Sequence, residues 1–163
     1  MLTARVVGNG RKLNELKRKL EEQNYITRAG VLEETFNADG ENVAEYAMYN
    51  EYGTMLNGTE HIPPRPFMRN TVDRELSNWR AKLQAALHKH VLASEEAMRY
   101  IGKVAVDDIR DTLSAGEFEP LADSTVAAKA KAGNPFPQDP LLASMALFHG
   151  LKTDTKKGGG GGA

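Results

Sequence analysis

The stretch Ile62-Pro-Pro-Arg-Pro-Phe67 constrains this chain more than any other. Pro63, Pro64 and Pro66 put three prolines into four residues. Proline has a fixed φ and no N–H, so such a run fits neither a helix interior nor a central strand. The sequence therefore predicts a stiff extended connector carrying Arg65 and Phe67. It lies between a Gly53-Thr54 turn and a long helical pattern.

The rest of the chain must supply a fold around that connector. At 163 residues it suits one domain with a real core. The expected organisation is a single domain over 1–157 and a flexible glycine tail over 158–163. Charged residues at 26% and hydrophobic ones at 40% are ordinary for a globular protein. A net charge of −1 gives no global electrostatic case for polyanion binding. The absence of cysteine excludes disulfides, thiol nucleophiles and thiolate metal sites. The first residues lack the apolar core of a signal peptide, and no apolar run nears the ~20 residues that span a bilayer. These features read as a protein made and folded in the cytoplasm.

Periodicity places the elements. Leu2, Ala4 and Val6 alternate as in a short strand, and Leu13, Leu16 and Leu20 form one stripe of an amphipathic helix. Tyr25 to Phe36 is rich in β-branched and aromatic residues and reads as a strand with room for a bend at Gly30. The stretch from Glu41 to Gly53 fits a helix, with Val43, Ala47 and Asn50 or Val43, Tyr46 and Tyr49 along one face and Gly53 as its stop, although Tyr46, Met48 and Asn50 also fit period two. Met55 to His61 reads as a mobile, polar, glycine-containing loop. From Pro66, the residues Val72, Leu76, Trp79, Leu83, Ala86 and Leu87 trace a long helix to about Val91. Ser94 reads as the N-cap of a second one, through Met98, Ile101, Ala105, Ile109 and Leu113 to Gly116. Their short connection makes them antiparallel neighbours. A short helix is expected from Asp123 or Ser124 to about Ala132, and a last strand from Leu151. The fold class is α+β: a small, mostly antiparallel sheet packed with two long antiparallel helices plus shorter helices.

No catalytic constellation emerges. His88 and His90 stand ~200° apart on a helix and cannot grip one metal from one face. The remaining histidines, His61 and His149, have no ligand pattern, and neither HExxH, GxSxG nor a phosphate loop occurs. The carboxylate pairs Glu33/Glu34, Glu95/Glu96 and Asp107/Asp108 read as polar surface. No cofactor is expected, and the chain reads as a non-enzyme.

Tyr49, Asn50, Glu51, Tyr52, Gly53 and Thr54, followed by Ile62, Pro63, Pro64, Arg65, Pro66, Phe67, Met68 and Arg69, resemble the signature of a bacteriophage family. Its members are tail-completion or head–tail joining proteins of long-tailed phages. Pro120, Leu121, Thr125 and Lys129 extend the resemblance, which covers roughly residues 25 to 150. Where the family carries a Thr-Gly turn, this chain has Leu141, Leu142, Ala143 and Ser144.

The resemblance implies a structural virion protein of the tail or neck, acting by assembly rather than turnover. Its expected partners are further copies of itself in a ring, hexameric by the resemblance, a tail terminator or tail tube protein, and a head–tail connector or adaptor. DNA would pass through the lumen without specific binding, which near-neutral charge suits. The interface so implied comprises Tyr49, Glu51, Tyr52, Gly53, Thr54, Ile62, Pro63, Pro64, Arg65, Pro66, Phe67 and Arg69. A rigid connector loses little entropy on docking, and Phe and Arg are favoured anchors. Alternatively, Phe67 staples the next helix to the sheet and Arg65 bonds Glu51 inside one subunit. The competing functional classes are a nucleic-acid-binding module and a small cytoplasmic enzyme.

Overall fold

The computed structural model describes residues 14, 15, 18, 23–32, 36, 40, 42–89, 94–141 and 145–158. The expected N-terminal strand, most of the Leu13–Leu20 helix, His90 and the residues from 159 onward lie outside them. What is described is α+β. In sequence order it comprises β1 (Tyr25–Val31), α1 (Val43–Tyr52), β2 (Thr54–Leu56), β3 (Thr59–Ile62), α2 (Phe67–Lys89), α3 (Ser94–Ala115), α4 (Asp123–Lys131), α5 (Ala146–Gly150) and β4 (Leu151–Lys157).

Strands β1 and β4 pair antiparallel, from Tyr25 opposite Lys157 to Val31 opposite Leu151. Gly158 N–H donates to the Asn24 carbonyl at 2.8 Å, so this first residue of the supposed tail extends the ladder. The expected strand to Phe36 is shorter than predicted and ends at Val31. Its partner begins at Leu151, directly after α5, and offers no backbone beyond it. Phe36 keeps only an isolated bridge to Asn42.

One face of the pair carries Thr27, whose hydroxyl donates to the Met98 carbonyl at 3.0 Å and meets the Thr155 hydroxyl at 2.8 Å. These contacts seat α3 across the sheet. Ile26 and Arg28 face outward, and Arg28 donates to the Asp154 carboxylate at 3.0 Å. The paired Arg28 and Lys156 cations hold the Asp154 carboxyl below the usual carboxylate range.

Gly102 is what allows the close approach. A Cβ there would press on Thr153 Oγ1 and lie 2.5 Å from Thr27 Cγ2. In an open helix Gly→Ala stabilises by ~0.5–1 kcal/mol. Here Thr27 is tied at both ends of its hydroxyl and cannot swing aside, so overpacking dominates. Gly102→Ala is expected to destabilise by about 1–3 kcal/mol. A thermal melt reads this directly, and a raised melting temperature would refute it.

Helices α2 and α3 run antiparallel. Thr71 Oγ1 meets Thr112 Oγ1 at 2.6 Å, while Trp79 Nε1 donates to Asp108 Oδ2 at 2.6 Å, so rising numbers on one helix meet falling numbers on the other. Arg74 closes the network on Thr112 Oγ1 at 2.9 Å. Below it lies the core: Val43, Ala47, Phe67, Val106, Ile109, Leu113, Leu141, Leu147 and Leu151. Gly116, at φ 66, ends α3 as its sequence position predicts. Ser94 does not act as an N-cap; it is the first residue of α3 and spends its hydroxyl on Gln23.

Candidate functional site

The residues singled out by the connector gather at one corner, where α1 ends, β2 and β3 leave, and α2 begins. Helix, not strand, is the structure of Val43–Tyr52. The deciding group is Asn42, whose Oδ1 accepts from Ala44 N at 2.9 Å and Glu45 N at 3.4 Å and so caps the first turn. At the other end Gly53 takes φ 72, which a side chain resists, and a Cβ there would lie 2.7 Å from the Ile62 carbonyl. Only glycine lets the returning strand cross this close to the helix end.

The segment read as a loop, Met55 to His61, is instead a β-hairpin. Thr54–Leu56 pairs antiparallel with Thr59–Ile62, with a register shift after Thr54. Its turn is Asn57-Gly58, with φ 51 and 79, the left-handed values that a two-residue hairpin turn requires. Asn-Gly between strand-forming residues was the available signal, and reading it as mere polar loop composition missed it. Thr54 Oγ1 is buried at the hairpin root without a hydrogen-bond partner among the described residues.

Beyond the hairpin the connector turns inward. Arg65 N–H donates to the Asn50 carbonyl at 2.6 Å, and Phe67 N–H to the Arg65 carbonyl at 2.7 Å. Phe67 is fully buried at 0% exposure and Arg65 is at 4%. Arg65 and Phe67 are therefore not surface anchors in this chain. Phe67 staples α2 onto the core, as the intramolecular alternative holds.

The expected Arg65–Glu51 pair does not form. Arg65 Nε donates to the Glu119 carbonyl at 3.1 Å, tying the connector to the segment after α3. Nearby, Lys129 Nζ donates to the Asp139 carbonyl at 2.6 Å. Burial first, and the Arg65 guanidinium after it, lower the Lys129 ammonium below its ordinary value, with Asp139 opposing.

Glu51 serves a different partner. Its carboxylate accepts from Met68 N at 2.9 Å and from Arg69 N and Nε at 3.0 Å each. Arg69 also reaches the Glu51 carbonyl at 2.6 Å and lies 4.9 Å over the Tyr52 ring. The first turn of α2 contains no acidic residue of its own, so a glutamate from α1 occupies its positive end. Asn50 completes the corner through Nδ2 to the Tyr46 carbonyl at 2.8 Å.

The motif residues thus divide by what they touch. Asn50, Glu51, Gly53, Arg65, Phe67 and Arg69 form a clasp that locks α1, the hairpin and α2 together. Tyr49 and Tyr52 stay exposed, and Tyr49 donates its hydroxyl to Glu45, which raises the phenol above its usual value. What the clasp presents is the hairpin, whose Met55 is 69% and Leu56 57% exposed. Neither hairpin strand packs extensively on another described element. Between α1 and α2, a groove of about 340 Å³ is lined by Val31, Met48, Tyr52, Met68, Arg69 and Val72.

The described carboxylates of the sequence pairs are engaged elsewhere, while Glu33, Glu34 and His90 lie outside the described residues. Glu95 binds Arg99, Asp107 binds Arg110, and Asp108 receives the Trp79 indole. Among the described residues no group of three His, Asp or Glu side chains is placed to hold a metal. Comparison with family models, with curated proteins and with solved structures yields no match.

Proposed function

We propose that this chain is a structural virion protein of the phage head–tail connection, joining tail to capsid connector as a homo-oligomeric ring around the DNA path. One observation carries this reading. A clasp with Asn50, Glu51, Arg65 and Phe67 buried, built from the residues that resemble the tail-completion signature, holds out a hairpin whose apolar side chains are left in water. A two-stranded hairpin is marginal alone, and exposed apolar surface beside aromatic residues is characteristic of contact sites. The contact residues on this reading are Tyr52, Met55 and Leu56, with Tyr49 and Arg69 flanking them. Phe67 and Arg65 act only by holding the mount rigid, which lowers the entropy lost on docking. Ring partners would be other copies, a tail terminator or tube protein, and a connector or adaptor.

The test combines mass photometry of the purified protein with negative-stain images of it mixed with tails. The wild type is expected to form rings or to join tail ends. Met55→Glu with Leu56→Glu should leave the melting temperature nearly unchanged, since exposed substitutions alter stability by only about 0.5 kcal/mol. The same double variant should abolish ring formation. A wild type that stays monomeric alone and in the presence of tails and connectors would overturn the reading.

A further inference from the structure

We propose that the Asn57–Gly58 peptide at the hairpin tip is a site of spontaneous deamidation, gated by opening of the hairpin. Three observations meet there. Among the described residues Asn57 alone is an asparagine followed by glycine, so no Cβ shields the next amide nitrogen. Both residues are exposed. Both are also the central residues of a two-residue turn, so the Gly58 N–H is not part of the strand ladder.

The other described asparagines are differently held. Asn42 caps α1, Asn50 is buried and bonded, and Asn70 and Asn78 lie within α2. Asn14 and Asn24 precede Glu15 and Tyr25, whose side chains crowd the next amide. Asn134 precedes a proline, which has no N–H to react.

The chemistry needs only water. Deprotonated Gly58 nitrogen attacks Asn57 Cγ. The new N–C bond closes a five-membered imide as the bond from Cγ to Nδ2 breaks and ammonia leaves. Water then opens the imide at either carbonyl, giving aspartate or isoaspartate. Nothing is oxidised or reduced.

In the closed turn the β2–β3 pairing holds the Asn57 backbone in the left-handed region, at φ 51, whereas ring closure requires the Asn57–Gly58 peptide to rotate onto the Asn57 side chain. Reaction therefore draws on the open hairpin. Hairpins form in ~1–10 μs, far faster than imide closure, so the rate follows the open population rather than the opening rate. Because little of the domain packs on these strands, that population is substantial. The products alter the arm itself. Either adds a carboxylate beside Met55 and Leu56, and isoaspartate lengthens the backbone by a methylene that a two-residue turn cannot absorb.

Peptide mapping with isoaspartate detection tests this on the full-length protein held in mildly alkaline buffer, with the urea-unfolded protein as reference. Conversion at Asn57 is expected to exceed that at Asn42, Asn50, Asn70 and Asn78, and to run within about tenfold to a hundredfold of the unfolded rate. Gating is tested by Met55→Cys with Glu60→Cys, opposite residues in the register of a protein that has no other cysteine. Opposite residues in antiparallel strands lie at separations a disulfide spans. Oxidation should slow Asn57 conversion by about tenfold or more, and reduction should restore it. An Asn57 no faster than the helical asparagines would overturn the site. Equal rates in the oxidised and reduced double variant would overturn the gating.

Discussion

Phe67→Ala is expected to lower the melting temperature by about 6–20 °C without changing what the surface presents. Phe67 has no exposure and packs among Val43, Ile109, Leu113 and Leu147 at the point where α1, α2, α3 and α5 converge. Truncating a core phenylalanine costs ~3–5 kcal/mol, and in a domain of this size each kcal/mol moves the midpoint by ~2–4 °C. That loss is a large part of the ~5–15 kcal/mol that hold a domain folded. Relaxation is hindered here because Phe67 also begins α2, and its carbonyl accepts from the buried Thr71 hydroxyl at 2.7 Å. Phe67→Leu, which refills most of the space, should recover the larger part of the loss. Urea titration distinguishes the roles. If Phe67→Ala melts like the wild type, Phe67 is not the keystone of the core.

The connector was legible as a rigid element from its prolines, but not its direction. A run of prolines fixes local conformation and leaves open whether its side chains face solvent or core. Phe67 and Arg65 look like interface anchors on a stiff rod. They turn inward because Arg65 N–H is bound by the Asn50 carbonyl and α2 starts at once after Pro66. The long helices, by contrast, were legible in nearly their true extent, since Ile101, Ala105, Ile109 and Leu113 repeat with helical spacing and Gly116 ends the run. The final strand from Leu151 was also expected, and it forms over Leu151–Lys157. The partner of Glu51 was not, because Arg65 and Arg69 are equally close in sequence to Phe67. Only the helix geometry, which brings the Met68 and Arg69 amides to the carboxylate, selects Arg69. The hairpin was readable in Asn57-Gly58, but its strands are short and exposed, so no hydrophobic alternation marked them.

Glu51→Ala is the other substitution with a large expected effect, at about 2–4 kcal/mol, or roughly 4–16 °C in melting temperature. The residue is only 5% exposed and sits on α1, yet it satisfies two amides of the first turn of α2. Loss of a capping acceptor alone costs ~0.5–2 kcal/mol, and leaving partly buried donors unpaired adds ~1–3 kcal/mol. Its bond to Arg69 is the smaller contribution. The Arg69 side chain is 53% exposed, and ion pairs open to water are worth ~0–1 kcal/mol. Arg69→Ala also loses the stacking over Tyr52, ~0.5–1 kcal/mol at an exposed site, and so should cost only about 0.5–2 kcal/mol in all. Glu51→Gln keeps one acceptor oxygen for an amide and should fall between the two. The order Glu51→Ala, Glu51→Gln, Arg69→Ala, from most to least damaging, is what capping from another helix requires. Amide exchange should quicken first at Met68 and Arg69 and next in the hairpin, whose root shares the clasp. If Arg69→Ala proves as costly as Glu51→Ala, the ion pair holds this corner and the capping assignment fails.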